Sequence, residues 1–156
     1  MAAKKITFWL IALIVFVLDR LSKFWIVSNV PFGSSIDFSF LSITYILNAG
    51  TLFGMFKHAA LFFLIFSLVV IVFLVLKFDS FDLRIQPFLG LVLGGALGNV
   101  VDRLLYGAVV DFIDVHFWPV FNVADAALSV AVVLILVFEL FFNQEPKKYQ
   151  KHKRNI

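Results

Sequence analysis

Two aspartates carry the strongest chemical suggestion in the chain: Asp111, in Val109-Val110-Asp111-Phe112, and Asp125, in Phe121-Asn122-Val123-Ala124-Asp125. Two carboxylates in contact cannot both ionise readily, so they share a proton. One then acts as base toward a water while the other polarises or protonates a scissile carbonyl. They stand fourteen positions apart. That length of chain reaches roughly 45 Å or folds back into contact, so the spacing permits the meeting without imposing it. Other routes to hydrolysis are few. The chain has no Cys, hence no thiolate nucleophile, disulfide framework or Cys-ligated metal. His116 has no second ligand nearby, since His58 and His152 fall in other segments, and no metal site is expected.

Further polar groups cluster with the pair: Asp19 with Ser22 and Lys23, Asn48 with Gly50 and Gly54, and the run Gly94-Gly95-Ala96-Leu97-Gly98-Asn99-Val100-Val101-Asp102-Arg103. On a helix, Gly95, Asn99, Asp102, Arg103 and Tyr106 lie on one face, three to four residues apart, like the lining of a site. Each group also has a plainer reading. Asp19 and Lys23 form an i, i+4 pair that neutralises a helix end. Gly90, Gly94 and Gly98 make a small-xxx-small packing stripe. Asn122 and Asp125 resemble an N-cap with an acidic N3 residue. Asp111 and Asp114 read as loop carboxylates. What strains these readings together is that so many separate devices would have to share one depth.

The elements that must position these residues are set by composition. The chain has 156 residues, of which 62% are hydrophobic, 21 are Phe and 15% are charged, with a mean hydropathy of +1.02. Lipid is the main solvent for such a chain, and ionisable groups at membrane depth are then functional candidates. Four stretches of about 20 residues can cross roughly 30 Å of hydrocarbon, at residues 6–27, 59–76, 87–105 and 122–142. The second has little polarity and reads as a plain supporting helix; Pro87 suits the first turn of the third. The first begins like a secretory signal, with Lys4 and Lys5 before an apolar run, but Asp19 to Lys23 stand where small residues should precede cleavage. It reads as an uncleaved span.

Nine of the 13 Lys and Arg residues fall on one side of these spans: Lys4, Lys5, Lys77, Arg84 and the five in the tail 143–156. That bias puts both termini and the basic tail in the cytoplasm, with Trp25 and Trp118 at the outer interface. The tail is an ordinary membrane flank, and no nucleic-acid partner is expected. The residues between the spans differ in pattern. Asp37 to Leu47 and Val109 to Phe117 are rich in β-branched and aromatic residues and predict a small extracytoplasmic sheet. Asn48 to Phe56 is apolar but too short to span, and predicts a short interfacial element. The expected fold is thus a single, mainly α, integral membrane domain over residues 1–156, with four transmembrane helices. From the residues alone, an intramembrane acid pair competes with two rivals. A small transporter or channel subunit would use Asp and Arg residues as an ion path, but would spread them through the membrane depth. A scaffold would use the glycine stripe for assembly.

The motifs Asp19-Arg20-Leu21-Ser22-Lys23, Asn48-Ala49-Gly50, Gly94 to Asn99 with Asp102-Arg103, Val109 to Phe112, and Phe121 to Asp125 stand in one order. In that order, and over nearly the whole chain, the sequence resembles the lipoprotein signal peptidase (signal peptidase II) family. The resemblance implies a bacterial inner-membrane aspartyl endopeptidase, active near the extracytoplasmic face. It would remove signal peptides from prolipoproteins just before a diacylglyceryl-modified cysteine. It maps the catalytic role onto Asp111 and Asp125, and substrate-binding or supporting roles onto Asp19, Asn48, Gly95, Asn99, Arg103 and Asn122. It implies no cofactor, prolipoprotein substrates and membrane lipid as partners, and a monomer. The sequence departs from the family pattern at Thr51-Leu52, where two small residues often precede the Phe.

Overall fold

A computed structural model of the chain describes residues 2–50 and 59–142. The basic tail, and the expected interfacial element from residue 51 onward, lie outside the described residues. The order is α1 (Ala2–Asn29), β1 (Ser35–Phe38), β2 (Leu41–Asn48), α2 (Ala59–Lys77), α3 (Gln86–Tyr106), β3 (Val109–Asp114) and α4 (Val123–Phe142), with a 3-10 turn at Phe78–Ser80 after α2. Three stretches, Ala60–Ser80, Gln86–Tyr106 and Val123–Phe142, are long and apolar enough to cross a membrane. With 28 residues, α1 is longer still, but Asp19, Arg20 and Lys23 interrupt its apolar run. The outward faces carry Leu10, Leu13, Phe62, Phe66, Val69, Val133 and Leu140, all exposed, as lipid-facing helices require.

Helix α3 is the hub, packed by α1, α2 and α4. Its glycines explain the closeness of the packing. A Cβ on Gly90 would lie 2.6 Å from the Phe8 carbonyl oxygen, and one on Gly94 would lie 2.5 Å from that of Ala12 and 2.8 Å from Val15 Cβ. Backbone therefore meets backbone along α1, the use that small-residue stripes have in membranes. Gly94→Ala forces these two helices apart, because neither obstacle is a flexible side chain. We expect a loss of about 1–3 kcal/mol, read as a lower melting temperature in detergent; an unchanged melt would show that this contact does not set the helix spacing. Away from the sheet, Phe8 stacks on Phe78 with ring centroids 4.3 Å apart, in a core with Ala12, Leu74, Leu89 and Leu93.

The three strands form one antiparallel sheet in the order β1-β2-β3. Within the stretch from Asp37 to Leu47 the chain turns in a tight hairpin, Phe38 pairing with Leu41 across Ser39 and Phe40. Its turn has none of the Gly, Asn or Pro residues that usually announce one. Between β2 and β3, Ile43 faces Ile113 and Ile46 faces Asp111, so β2 carries one extra residue there, a β-bulge. Ile26 from α1 and Val30 just beyond its end pack under the sheet with Tyr45, Val110 and Phe112. The chain then returns to β3: Phe112 and Ile113 donate N–H bonds to the Phe121 carbonyl at 3.0 and 2.8 Å, and Phe121 donates to Ile113 at 3.1 Å. This return brings Asn122 and the first turn of α4 beside Asp111.

Candidate active site

The two aspartates do share a site. Asp111, from β3, and Asp125, from the first turn of α4, both line a cleft of about 390 Å³, together with Asn48, Gly50, Phe63, Arg103, Val109 and Pro119. Asp111 is 1% exposed, and Asp125 is partly exposed. Burial raises the Asp111 carboxyl to about 6, opposed by the hydrogen bond from Asn48 and reinforced by the charge of Asp125. Its proton is thus held closer to neutral pH than that of an ordinary aspartate.

Three carboxamides hold the pair, each with its oxygen already committed. Asn48 Oδ1 accepts the Gly50 N–H at 2.9 Å, which aims Nδ2 at Asp111 Oδ2, 2.8 Å away. Asn48 stands opposite Val109, one diagonal step from Asp111 on the same face of the sheet. Asn122 is the N-cap of α4, and its Oδ1 accepts the Asp125 N–H at 2.9 Å. Its Nδ2 therefore points at Asp111 Oδ1, 2.7 Å away. Asn99 donates Nδ2 to Asp125 Oδ1 at 2.8 Å, and its own oxygen accepts from Lys23 Nζ at 3.0 Å and Asn122 Nδ2 at 3.2 Å. The capping geometry and the site are the same residues: the N-cap that orders α4 is also the donor that orients Asp111.

Behind the carboxamides lies a buried charge cluster. Asp19, Lys23 and Asp102 are fully buried. Lys23 Nζ sits 2.9 Å from Asp19 Oδ2 and 2.7 Å from Asp102 Oδ2, and Arg20 pairs with Asp102 Oδ1. Two acids face two bases, so the cluster is neutral. Asp19 Oδ1 also accepts the Ala124 N–H at 3.0 Å, satisfying a free donor in the first turn of α4. Asp102 Oδ2 accepts the Val110 N–H at 3.1 Å, tying α3 to β3.

Several expectations are corrected by this arrangement. The face of α3 from Gly95 to Tyr106 does not line the cleft as a unit. Successive helix positions turn by about 100°, and that divides the stripe between neighbours. Only Arg103 of α3 lines the cleft, while Asn99 reaches Asp125 from beneath. Asp102 turns to α1, and Tyr106 is exposed. A Cβ on Gly95 would lie 2.7 Å from the Ala124 carbonyl oxygen, so Gly95 lets α4 dock on α3 rather than meeting a ligand. Asp19 likewise stands behind the site. Arg103 forms no ion pair with a carboxylate among the described residues; its Nη1 reaches the Asn99 carbonyl at 3.4 Å, and its guanidinium lies 5.7 Å from the Phe63 ring. Phe63 also changes the reading of α2, which contributes a wall of the cleft. Lys23 is the main residue missing from the expected set. Its i, i+4 spacing to Asp19 showed one partner but not the other two. Asp114 and His116 sit apart, the Asp114 side chain accepting the His116 N–H at 2.8 Å in a turn where His116 has φ of 67°.

Apolar helices around a cleft lined by two carboxylates define a class: helical membrane proteins with two acids in one cleft. A family model for signal peptidase (SPase) II, Peptidase_A8, matches residues 11–142, and the chain belongs to that family of aspartic-type peptidases. It is similar to the lipoprotein signal peptidase of Thermodesulfovibrio yellowstonii, with 41% identity over 79% of this chain and 87% of the relative. It is also similar to that of Syntrophomonas wolfei, with 40% identity over 85% and 92%. Two solved structures described as bacterial membrane enzymes match its fold. One has a TM-score of 0.78 and 34% identity over 90% of this chain and 93% of that chain. The other has a TM-score of 0.80 and 35% identity over 88% and 94%.

Proposed function

We propose that this protein removes the signal peptide from diacylglyceryl-modified bacterial prolipoproteins, cleaving just before the lipidated cysteine. The observation that carries the reading is the cleft that Asp111 and Asp125 both line, each held by carboxamide N–H groups. In this mechanism Asp111 holds the shared proton and donates a hydrogen bond to the scissile carbonyl. Asp125 takes a proton from the attacking water and returns it to the leaving amine, as general acid–base catalysis requires. Arg103 positions the peptide backbone or the lipid headgroup region with a guanidinium that lines the cleft and forms no ion pair with a carboxylate among the described residues. Asn48, Asn99 and Asn122 orient the acids, and Asp19 and Gly95 support the elements that carry them. The enzyme acts as a monomer in the bacterial inner membrane, both termini cytoplasmic and the acid pair near the extracytoplasmic face.

The test is cleavage of a diacylglyceryl-modified prolipoprotein by the purified protein, followed by gel shift with and without chelator. Cleavage insensitive to chelator is expected; an inactive, folded wild type returns the transporter and scaffold readings. The acid pair also sets a pH dependence. Activity needs Asp111 protonated, so kcat/KM falls as pH rises through about 6. The Asn48 hydrogen bond favours the ionised form, so Asn48→Ala moves this limb to higher pH. A limb that stays in place or moves to lower pH contradicts the assignment of the proton to Asp111.

A further inference from the structure

We propose that Lys23 is a positioning residue for peptide cleavage: its ammonium decides which way round the Asn99 carboxamide sits, and so presents an N–H to Asp125. The inference rests on the acid-pair reading above. An ammonium offers three donors and no acceptor, and Lys23 Nζ has three oxygens within reach: Asp19 Oδ2 at 2.9 Å, Asp102 Oδ2 at 2.7 Å and Asn99 Oδ1 at 3.0 Å. Charge neutralisation accounts for the first two. The third is a contact with a neutral amide, fully buried at the lysine end, and it lies on the line from the charge cluster to Asp125.

A carboxamide can occupy its site in two orientations that differ by a half-turn. In the one observed, Asn99 Oδ1 receives Lys23 and Asn122, and Nδ2 gives to Asp125. In the other, Nδ2 would face an ammonium and an amide donor, and Oδ1 would face a carboxylate. All three contacts would be repulsive. A hydroxyl or amide in place of Lys23 could turn to present an acceptor, and would leave the choice to the Asn122 contact at 3.2 Å and to Asp125 itself, whose pull on Nδ2 lapses whenever it takes up a proton. The ammonium cannot turn. Other charged groups around this junction are Arg20 on α1, Arg103 on α3, Asp111 on β3 and Asp125 itself; of these, only Asp125 is hydrogen-bonded to the Asn99 side chain.

The experiment measures kcat and KM on the lipidated prolipoprotein across pH, with melting temperatures, for the charge-balanced variant Lys23→Met/Asp19→Asn. The new amide at position 19 keeps an oxygen for the Ala124 N–H, and Arg20 keeps Asp102. We expect kcat to fall about a hundredfold with KM within about twofold, and addition of Asn99→Ala to cost nothing more. If Asn99→Ala costs as much in this variant as in wild type, Lys23 does not act through Asn99 and the proposal is overturned. Should the variant fail to fold, Lys23→Gln/Asp19→Asn takes its place in the same comparison, since a neutral amide at position 23 can turn to present an oxygen; a cost of Asn99→Ala undiminished in that variant overturns the proposal. An inactive wild type instead overturns the peptidase reading itself.

Discussion

Asp111→Asn and Asp125→Asn each abolish prolipoprotein cleavage, with an expected fall in kcat of about 10⁴-fold, the upper range for a general acid or base, while the protein stays folded. The reason for expecting folded variants lies in the partners. An amide at position 125 still offers an oxygen to Asn99 Nδ2, which donates to Asp125 Oδ1 at 2.8 Å. At position 111 the amide keeps one acceptor for Asn48 or Asn122 and sets its own N–H against the other. That contact costs about 1–3 kcal/mol and is partly offset because a buried carboxylate is removed. Gel shift of the lipidated substrate reads the activity, and melting in detergent reads the fold. Cleavage that survives in either folded variant would remove that residue from the mechanism.

The second large effect is on stability. Asp102→Asn leaves Lys23 and Arg20 facing a single carboxylate, Asp19, inside the helix bundle. It weakens the contact to Lys23 Nζ at 2.7 Å and the pairing with Arg20, and it sets an amide N–H against one of its three donors, which include the Val110 N–H at 3.1 Å. Breaking one partner of a buried charge network costs about 3–5 kcal/mol. We expect a large drop in melting temperature, and with it a loss of activity. A melting temperature equal to that of wild type would show that the cluster is not stabilising the junction of α1, α3 and β3. The exposed pair Arg84–Asp82, with side chains 57% and 39% exposed, is the contrasting case, because solvent screening leaves surface pairs little to contribute.

The helices were legible because each is a long apolar run, and the strands because Leu41 to Asn48 and Val109 to Asp114 carry the β-branched and aromatic residues that pleated surfaces take. Pro87 falls in the first turn of α3, as its chemistry favours. The acid pair was legible as a possibility, since Asp111 and Asp125 are few enough residues apart to fold together. What the chain could not reveal was direction. Asp102 and Arg103 are neighbours in sequence, yet one turns to α1 and the other to the cleft, and that division depends on where α1 lies. Lys23 meets Asn99 across 76 residues and Arg20 meets Asp102 across 82; no local spacing encodes either. The hairpin at Ser39-Phe40 was hidden for a different reason, because the β1–β2 pairing, with side-chain bonds from Ser42 to Asp37 and between Ser35 and Thr44, holds it rather than turn chemistry.

The bulge in β2 sets the phase of the strand. Side chains alternate between the two faces, so an unbroken register from Ile43 opposite Ile113 would bring Tyr45 opposite Asp111 and Leu47 opposite Val109. An aliphatic side chain would then occupy the place beside the acid. The extra residue shifts the alternation by one, and the amide of Asn48 arrives there instead, with Leu47 turned to the other face and 38% exposed. A single-residue stutter in the backbone thus exchanges a greasy neighbour for a hydrogen-bonding one, without changing any residue of the site.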